Sequence, residues 1–562
     1  MKEVTIMKSD IEIANSANLI DVREVAKHLN ISEEYLDLYG KHKAKISLDL
    51  LNKDYSAENN SKLILVTSIN PTPAGEGKTT VNIALSMALN KVGKKALSAL
   101  REPSKGPVFG MKGGACGGGY SQILPMEDIN LHFTGDLAAI ESAHNLLAAI
   151  IDNHIYQGNS LNINPKKVVW NRVLDVNDRA LRNIVIGMGP NTDGVMRESK
   201  FEITAASEIM AILCLAEDLE DLRTRLGRII VAYTYSNEII RADDLGATDS
   251  LLLLLKKAFE PNLVQTIENT PAIIHGGPFA NIAHGANSIV ALKLAGKLAD
   301  YVVTEAGFGA DLGAEKFFDI VSRNESVKAD AVVLVATVKA LKYNGGQKKE
   351  DLENEDIDAL REGFSNLKRH MENLQKFGRP FVVAINRFPS DTETEVETLR
   401  DLVSEFGVEA VVADPYNLGS EGAVDLANAV IKIIDNNAEE KFIYDLDASL
   451  VNKIEAIATE IYRANKVVYS SGVKNKLRKF EKEGYKHLPV CIAKTQYSFS
   501  DKANKLGAPT DFEFEVTDVE LKAGAGFVVV KAGSINTMPG LPQKPAAMNI
   551  KVGKDGTTTG LA

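Results

Sequence analysis

Residues 63–80, LILVTSINPTPAGEGKTT, limit what this chain can fold into more than any other stretch. The apolar, β-branched run Leu63, Ile64, Leu65, Val66 reads as a strand buried on both faces. It breaks into a loop at Pro71, Thr72, Pro73, Ala74, Gly75, Glu76 and Gly77, and a helical pattern follows Lys78, Thr79 and Thr80. A strand, a glycine loop and a helix in that order are the layout of a phosphate-binding P-loop. Glycine lets backbone N–H groups converge on an anion, and the helix N-terminus adds roughly half a positive charge. Lys78 would neutralise the outer phosphates and the Thr79 hydroxyl would bind Mg²⁺. The common pattern has a glycine where this chain has Thr72, so a plain strand-to-helix loop is the competing reading.

The rest of the chain repeats the theme. Apolar strands are expected at 96–100, 272–274, 301–304, 331–335 and 380–385, with helices at 79–91, 136–151, 210–226 and 291–298. Such alternation predicts an α/β protein with a mainly parallel sheet, ligands gathering at the carboxyl ends of its strands. Residues 9–60 read as a helical preface. At 562 residues the chain exceeds one hydrophobic core, and roughly three or four domains is the expectation from length. Boundaries are placed to give a P-loop NTPase-like domain at 1–365, a smaller α/β domain at 366–455 and another at 456–562.

The net charge of −11 disfavours non-specific nucleic-acid binding, which requires a surplus of Lys and Arg. Three widely spaced cysteines, Cys116, Cys214 and Cys491, argue against a disulfide framework or a zinc site. The charged N-terminus lacks a signal-peptide core, and no apolar run reaches the ~20 residues of a membrane helix. A cytoplasmic protein with no membrane partner is the expectation.

Residues 106–136 hold eight glycines, too many for regular elements, yet Phe109, Ile123, Leu124, Ile129, Leu131 and Phe133 would be wasted in a disordered linker. A packed active-site loop is predicted, with the amides of 113–119 as an anion nest. Arg101 and Glu102 end a strand beside it. A guanidinium there offers a fork for phosphate or carboxylate, against the plainer reading of an Arg paired with Glu102. Asp136 is a candidate proton acceptor, with His132 its rival.

TPAGEGKTT, REPSKGPVFGMKGGACGGGY, PMEDINLHFTGD, HGGPFANIAHG, TEAGFGADLGAEKF, AINRFPSDT, LPVCIAKTQYSFSD and MPGLP occur in this order. Together they resemble the signature stretches of formate–tetrahydrofolate ligases, over essentially the whole chain. The resemblance implies that formate attacks the γ-phosphate of MgATP to give formyl phosphate, which the amine of tetrahydrofolate then attacks. It implies Arg101 as the holder of formyl phosphate, Phe308 and Leu488-Pro489 as adenine contacts, and Phe388 as one face of a pterin stack. Tyr416 stands where the family usually has tryptophan. Lys105 and Ala286 also depart from the usual residues. A homotetramer and activation by a monovalent cation, K⁺ or NH₄⁺, are implied as well. A P-loop switch ATPase and another acyl-phosphate ligase are the alternatives; Pro389 stands where a guanine-reading motif needs Asp.

Overall fold

A computed structural model describes residues 8–53, 61–72, 75–111, 116–436 and 439–561. Pro73, Ala74, Lys112 and residues 113–115 of the expected anion nest lie outside the described residues.

The chain is α/β. Seven strands form a parallel centre: β1 (Lys62–Ser68), β2 (Ala96–Leu100), β3 (Pro271–Ile274), β4 (Tyr301–Gly309), β5 (Ala331–Ala336), β6 (Phe381–Asn386) and β7 (Ala410–Ala413). Their spatial order is β3-β2-β4-β1-β5-β6-β7. Antiparallel strands Asn262–Thr266, Ala44–Ile46 and Leu36–Leu38 extend the sheet beyond β3, so it is mixed but mostly parallel. Alternate side chains of each strand point to opposite faces. Leu63 and Leu65 join one apolar cluster while Ile64 and Val66 join another, which is why β1 is apolar without interruption. Each such buried side chain contributes about 1.5–3 kcal/mol relative to exposure.

The helices that bear on the site are α1 (Asp10–Ser16), α2 (Lys78–Lys91), α3 (Lys105–Phe109), α4 (Asp136–Tyr156) and α5 (Ile357–Lys376). From β1 the chain moves outward to β2 and β3, and from β4 it crosses to β5 on the other side of β1. That reversal opens a crevice at the carboxyl ends of β1, β2 and β4, the place where open α/β sheets take ligands.

Three expectations are corrected. The preface is not only helical: Leu36–Leu38 and Ala44–Ile46 form a hairpin on the sheet edge. The helix expected over 210–226 is two, Glu208–Leu215 and Leu219–Gly227, because the Asp218 carboxylate accepts from the Asp221 N–H and starts a new helix. The glycine-dense stretch is built of short elements rather than loop alone: α3, strands Gly117–Gly118 and Ser121–Leu124, and helix Met126–Asn130. Its Ile123, Leu124, Ile129 and Phe133 are buried together with Cys116.

Helix α5 runs unbroken across position 365, and β6 and β7, from within 366–455, extend the large sheet. A separate four-stranded sheet comprises β8 (Lys466–Tyr469), β9 (Val490–Ala493), β10 (Glu513–Lys522) and β11 (Phe527–Ala532), in the order β8-β10-β11-β9. Lys494, just past β9, makes a fully buried ion pair with Asp311 at 2.7 Å, fastening this sheet to the loop after β4. Among the described residues no helix is long and apolar enough to cross a membrane.

Candidate active site

The loop after β1 is fixed by its own polar groups. Glu76 is buried; its carboxylate accepts from the Thr72 N–H at 2.7 Å and from the Thr337 hydroxyl after β5. Burial pushes its carboxyl up, and the bonds from Thr337 and Thr72 pull the other way. Gly77 takes φ 71° as the N-cap of α2, and a Cβ there would strike the Asn386 amide, which donates to the Glu76 carbonyl at 3.0 Å. Only glycine suits that corner. Lys78 then opens α2 with Nζ 3.3 Å from the Ser68 hydroxyl, folded back toward the end of β1.

Three neighbouring strands meet in a cavity of about 390 Å³ lined by Gly75, Gly77, Lys78, Thr79, Arg101, Glu102, Glu305 and Phe308 among others. Glu305 is the joint. One carboxylate oxygen accepts from the Thr79 hydroxyl at 2.8 Å, and the other from Arg101 Nε and Nη2 at 3.3 and 3.2 Å. Arg101 Nη1 donates to the Pro278 carbonyl at 3.2 Å. A Cβ on Gly307 would come within 2.7 Å of Nη1, so this glycine makes room for the guanidinium. Arg101 is therefore paired across the sheet with Glu305 rather than with its neighbour Glu102.

Glu102 also lines the cavity and is nearly buried. Burial raises its carboxyl well above the ordinary range, Asp136 adds to the rise, and Lys45 opposes it. Asp136, at the start of α4, is buried behind this wall rather than part of it. Lys45 pairs with it at 2.7 Å and Asn262 donates to it at 2.7 Å. His132 is exposed and lines no part of the cavity. Asp175 supports the wall: it accepts from the Ser104 hydroxyl at 2.6 Å and the Lys105 N–H at 3.0 Å, with burial pushing its carboxyl up to about 6.

Phe308 reaches the cavity at φ 57°, a strained conformation for an aromatic residue and one that clusters at ligand sites. Phe388 and Tyr416 leave the carboxyl ends of adjacent strands β6 and β7, whose register pairs Asn386 with Ala413. Both are half-buried and neither lines this cavity. Leu488 and Pro489 are not brought to it either. They precede β9, held by Lys453 Nζ on the Leu488 carbonyl and Val528 N–H on the Pro489 carbonyl. It is the other end of β9 that approaches the site, where the Gln496 carbonyl accepts from Asn70 at 3.2 Å.

Sequence reasoning missed Glu305, Asp175 and Asn70. Glu305 carried the one available signal, an acid ending an apolar strand ahead of a glycine loop; the other two offered none.

The geometry gathers a lysine at a helix start, a hydroxyl–carboxylate pair, an arginine fork and a buried acid whose carboxyl is raised by burial. That set suits phosphoryl transfer to an oxyanion, where positioning and charge neutralisation dominate. The family model for formate–tetrahydrofolate ligase matches residues 8–562. The match takes in all three strands whose ends build the site and the C-terminal sheet as well, so the chain belongs to the formate–tetrahydrofolate ligase family.

Proposed function

We propose that this cavity joins formate to tetrahydrofolate through formyl phosphate, yielding 10-formyltetrahydrofolate, ADP and phosphate. The carrying observation is the convergence of Lys78, Thr79, Arg101 and Glu305 at the carboxyl ends of β1, β2 and β4. In this reading residues 72–79 are the P-loop of an NTPase-like sheet: backbone N–H groups at the start of α2 hold the phosphates and Lys78 meets the outermost ones. Thr79, with Glu305 beside it, would hold Mg²⁺, and the ion would supply positive charge against the phosphates. The hydroxyl–carboxylate pair at 2.8 Å supplies the hard oxygen donors such an ion needs.

A formate oxygen attacks the γ-phosphorus as the bond to ADP breaks, and Arg101 binds the acyl phosphate so formed. The secondary amine of tetrahydrofolate then attacks the formyl carbon, phosphate departs, and the amine loses its proton. Asp136 acts at one remove: burial raises the Glu102 carboxyl well above its ordinary range inside the cavity, and the nearby Asp136 adds to that rise. Phe388 and Tyr416 stack on the pterin, which assigns folate binding to residues 366–455. Phe308 faces adenine, with Leu488 and Pro489 of the C-terminal domain 456–562 supplying the far wall in the nucleotide-bound enzyme. The working enzyme is a cytoplasmic homotetramer activated by K⁺ or NH₄⁺. The Asn386 amide is engaged with Glu76, which speaks against a guanine-reading switch.

The test is ADP release with ATP, formate and tetrahydrofolate, each omitted in turn. Turnover should require all three; turnover indifferent to formate and folate overturns the reading. Arg101→Ala should retain ATP binding while formyl transfer falls about 10²–10³-fold, the range for losing one preorganised charge-stabilising donor.

A further inference from the structure

Tyr416 is bound into a joint that the reaction scheme does not use. Its hydroxyl donates to Asp10 Oδ1 at 2.9 Å, across 406 positions of sequence. The same oxygen accepts from the Gly119 N–H at 2.8 Å. The Asp10 carbonyl accepts from Gln122 at 3.0 Å. The glycine stretch grips the platform from its other side: Tyr120 N–H donates to the Tyr416 carbonyl at 2.8 Å and the Ser121 hydroxyl to the Pro415 carbonyl at 2.7 Å. A Cβ at Gly118 would lie 3.2 Å from the Tyr416 ring, and one at Gly119 would collide with its carbonyl.

We infer that Asp10, on the N-terminal helix α1, is a positioning residue for the folate site, locking the Tyr416 ring and the glycine stretch to each other. The inference rests on the reading of Tyr416 as a pterin platform. A tyrosine ring left without its hydroxyl partner can rotate about its side-chain torsions, so the stacking face is ordered in advance only while Asp10 holds it. Because both bonds fall on one oxygen, asparagine can keep them with a neutral acceptor, whereas alanine loses both.

Steady-state kinetics of the full-length enzyme tests this. Asp10→Ala should raise KM for tetrahydrofolate about tenfold, the effect of losing the Tyr416 hydroxyl's bond to a charged acceptor, with KM for ATP within about twofold. Asp10→Asn should recover most of the loss. Tyr416→Phe should reproduce the defect, and the double variant Asp10→Ala/Tyr416→Phe should be less impaired than the product of the single effects, because both remove one shared bond. Equal rises in both KM values, no rise at all, or strictly multiplicative effects overturn the inference. Tyr416→Ala separates it from the parent reading. An unchanged folate KM in that variant overturns the platform itself, and a raised folate KM with normal Asp10→Ala kinetics overturns only the role of Asp10.

Discussion

Glu305 receives the Thr79 hydroxyl on one oxygen and the Arg101 guanidinium on the other, so a single side chain sets the spacing of the two groups assigned to metal and acyl phosphate. Its partners lie 226 and 204 positions away in sequence. Glu305→Gln keeps the volume and one acceptor but places an amide N–H against one of the two donors. We expect kcat to fall about a hundredfold, in the range for removing one preorganised electrostatic group, and the Mg²⁺ concentration for half-maximal rate to rise. A Mg²⁺ titration of the variant measures both, and an unchanged Mg²⁺ requirement would show that Glu305 orients Arg101 alone. Lys78, Thr79 and Arg101 were legible in the sequence because each sits within three residues of a recognisable strand or helix end. Glu305 stood at such an end too, but its role exists only where β4 lies between β2 and β1.

At the scale of elements, the entry to α2 depends on one corner. Gly77 caps the helix at φ 71° with the Asn386 amide packed where a side chain would go. Gly77→Ala therefore meets both left-handed backbone strain, about 1–2 kcal/mol, and a steric clash. The expected outcome is a KM for ATP raised tenfold or more, with the melting temperature lowered by only a few degrees, since the rest of α2 stays packed on the sheet. Isothermal titration with ADP checks it; wild-type affinity would mean that the phosphates do not sit at this corner. Helix α2 and its strands were readable from periodicity and flanking glycine. The hairpin from the preface was not, because Leu36–Leu38 is too short and too exposed to show a pattern and becomes a strand only by pairing with Ala44–Ile46.

Across the whole molecule, Asn70 ties the loop after β1 to distant segments. Its backbone N–H points to His370 Nε2 at 3.1 Å, its side-chain carbonyl accepts from Asn366 at 2.9 Å, and its amide donates to Asp311 and the Gln496 carbonyl. His370 lies buried on α5, and burial lowers its pKa from 6.5 to about 4. The folded state holds it neutral while the unfolded chain protonates it, so its contribution to stability is full above pH 6.5 and drains away as pH falls toward 4. Relative to His370→Gln, the wild type should lose about 3 kcal/mol across that window. Urea midpoints of both proteins measured from pH 7 to pH 4 test this; a constant gap between them would contradict it.

By itself, the sequence determined what local patterns encode: an α/β chain, the strand, glycine loop and helix around Lys78, an arginine at a neighbouring strand end, and through its ordered signature stretches the family. These depend on residues close together in the chain, where propensity, backbone conformation and spacing act directly. Only the tertiary structure decided that Arg101 pairs with Glu305, that Asp136 is consumed by Lys45 and Asn262, and that Asp10 holds Tyr416. Such pairings cost loop closure over hundreds of residues and follow from strand order and burial, which no local window records.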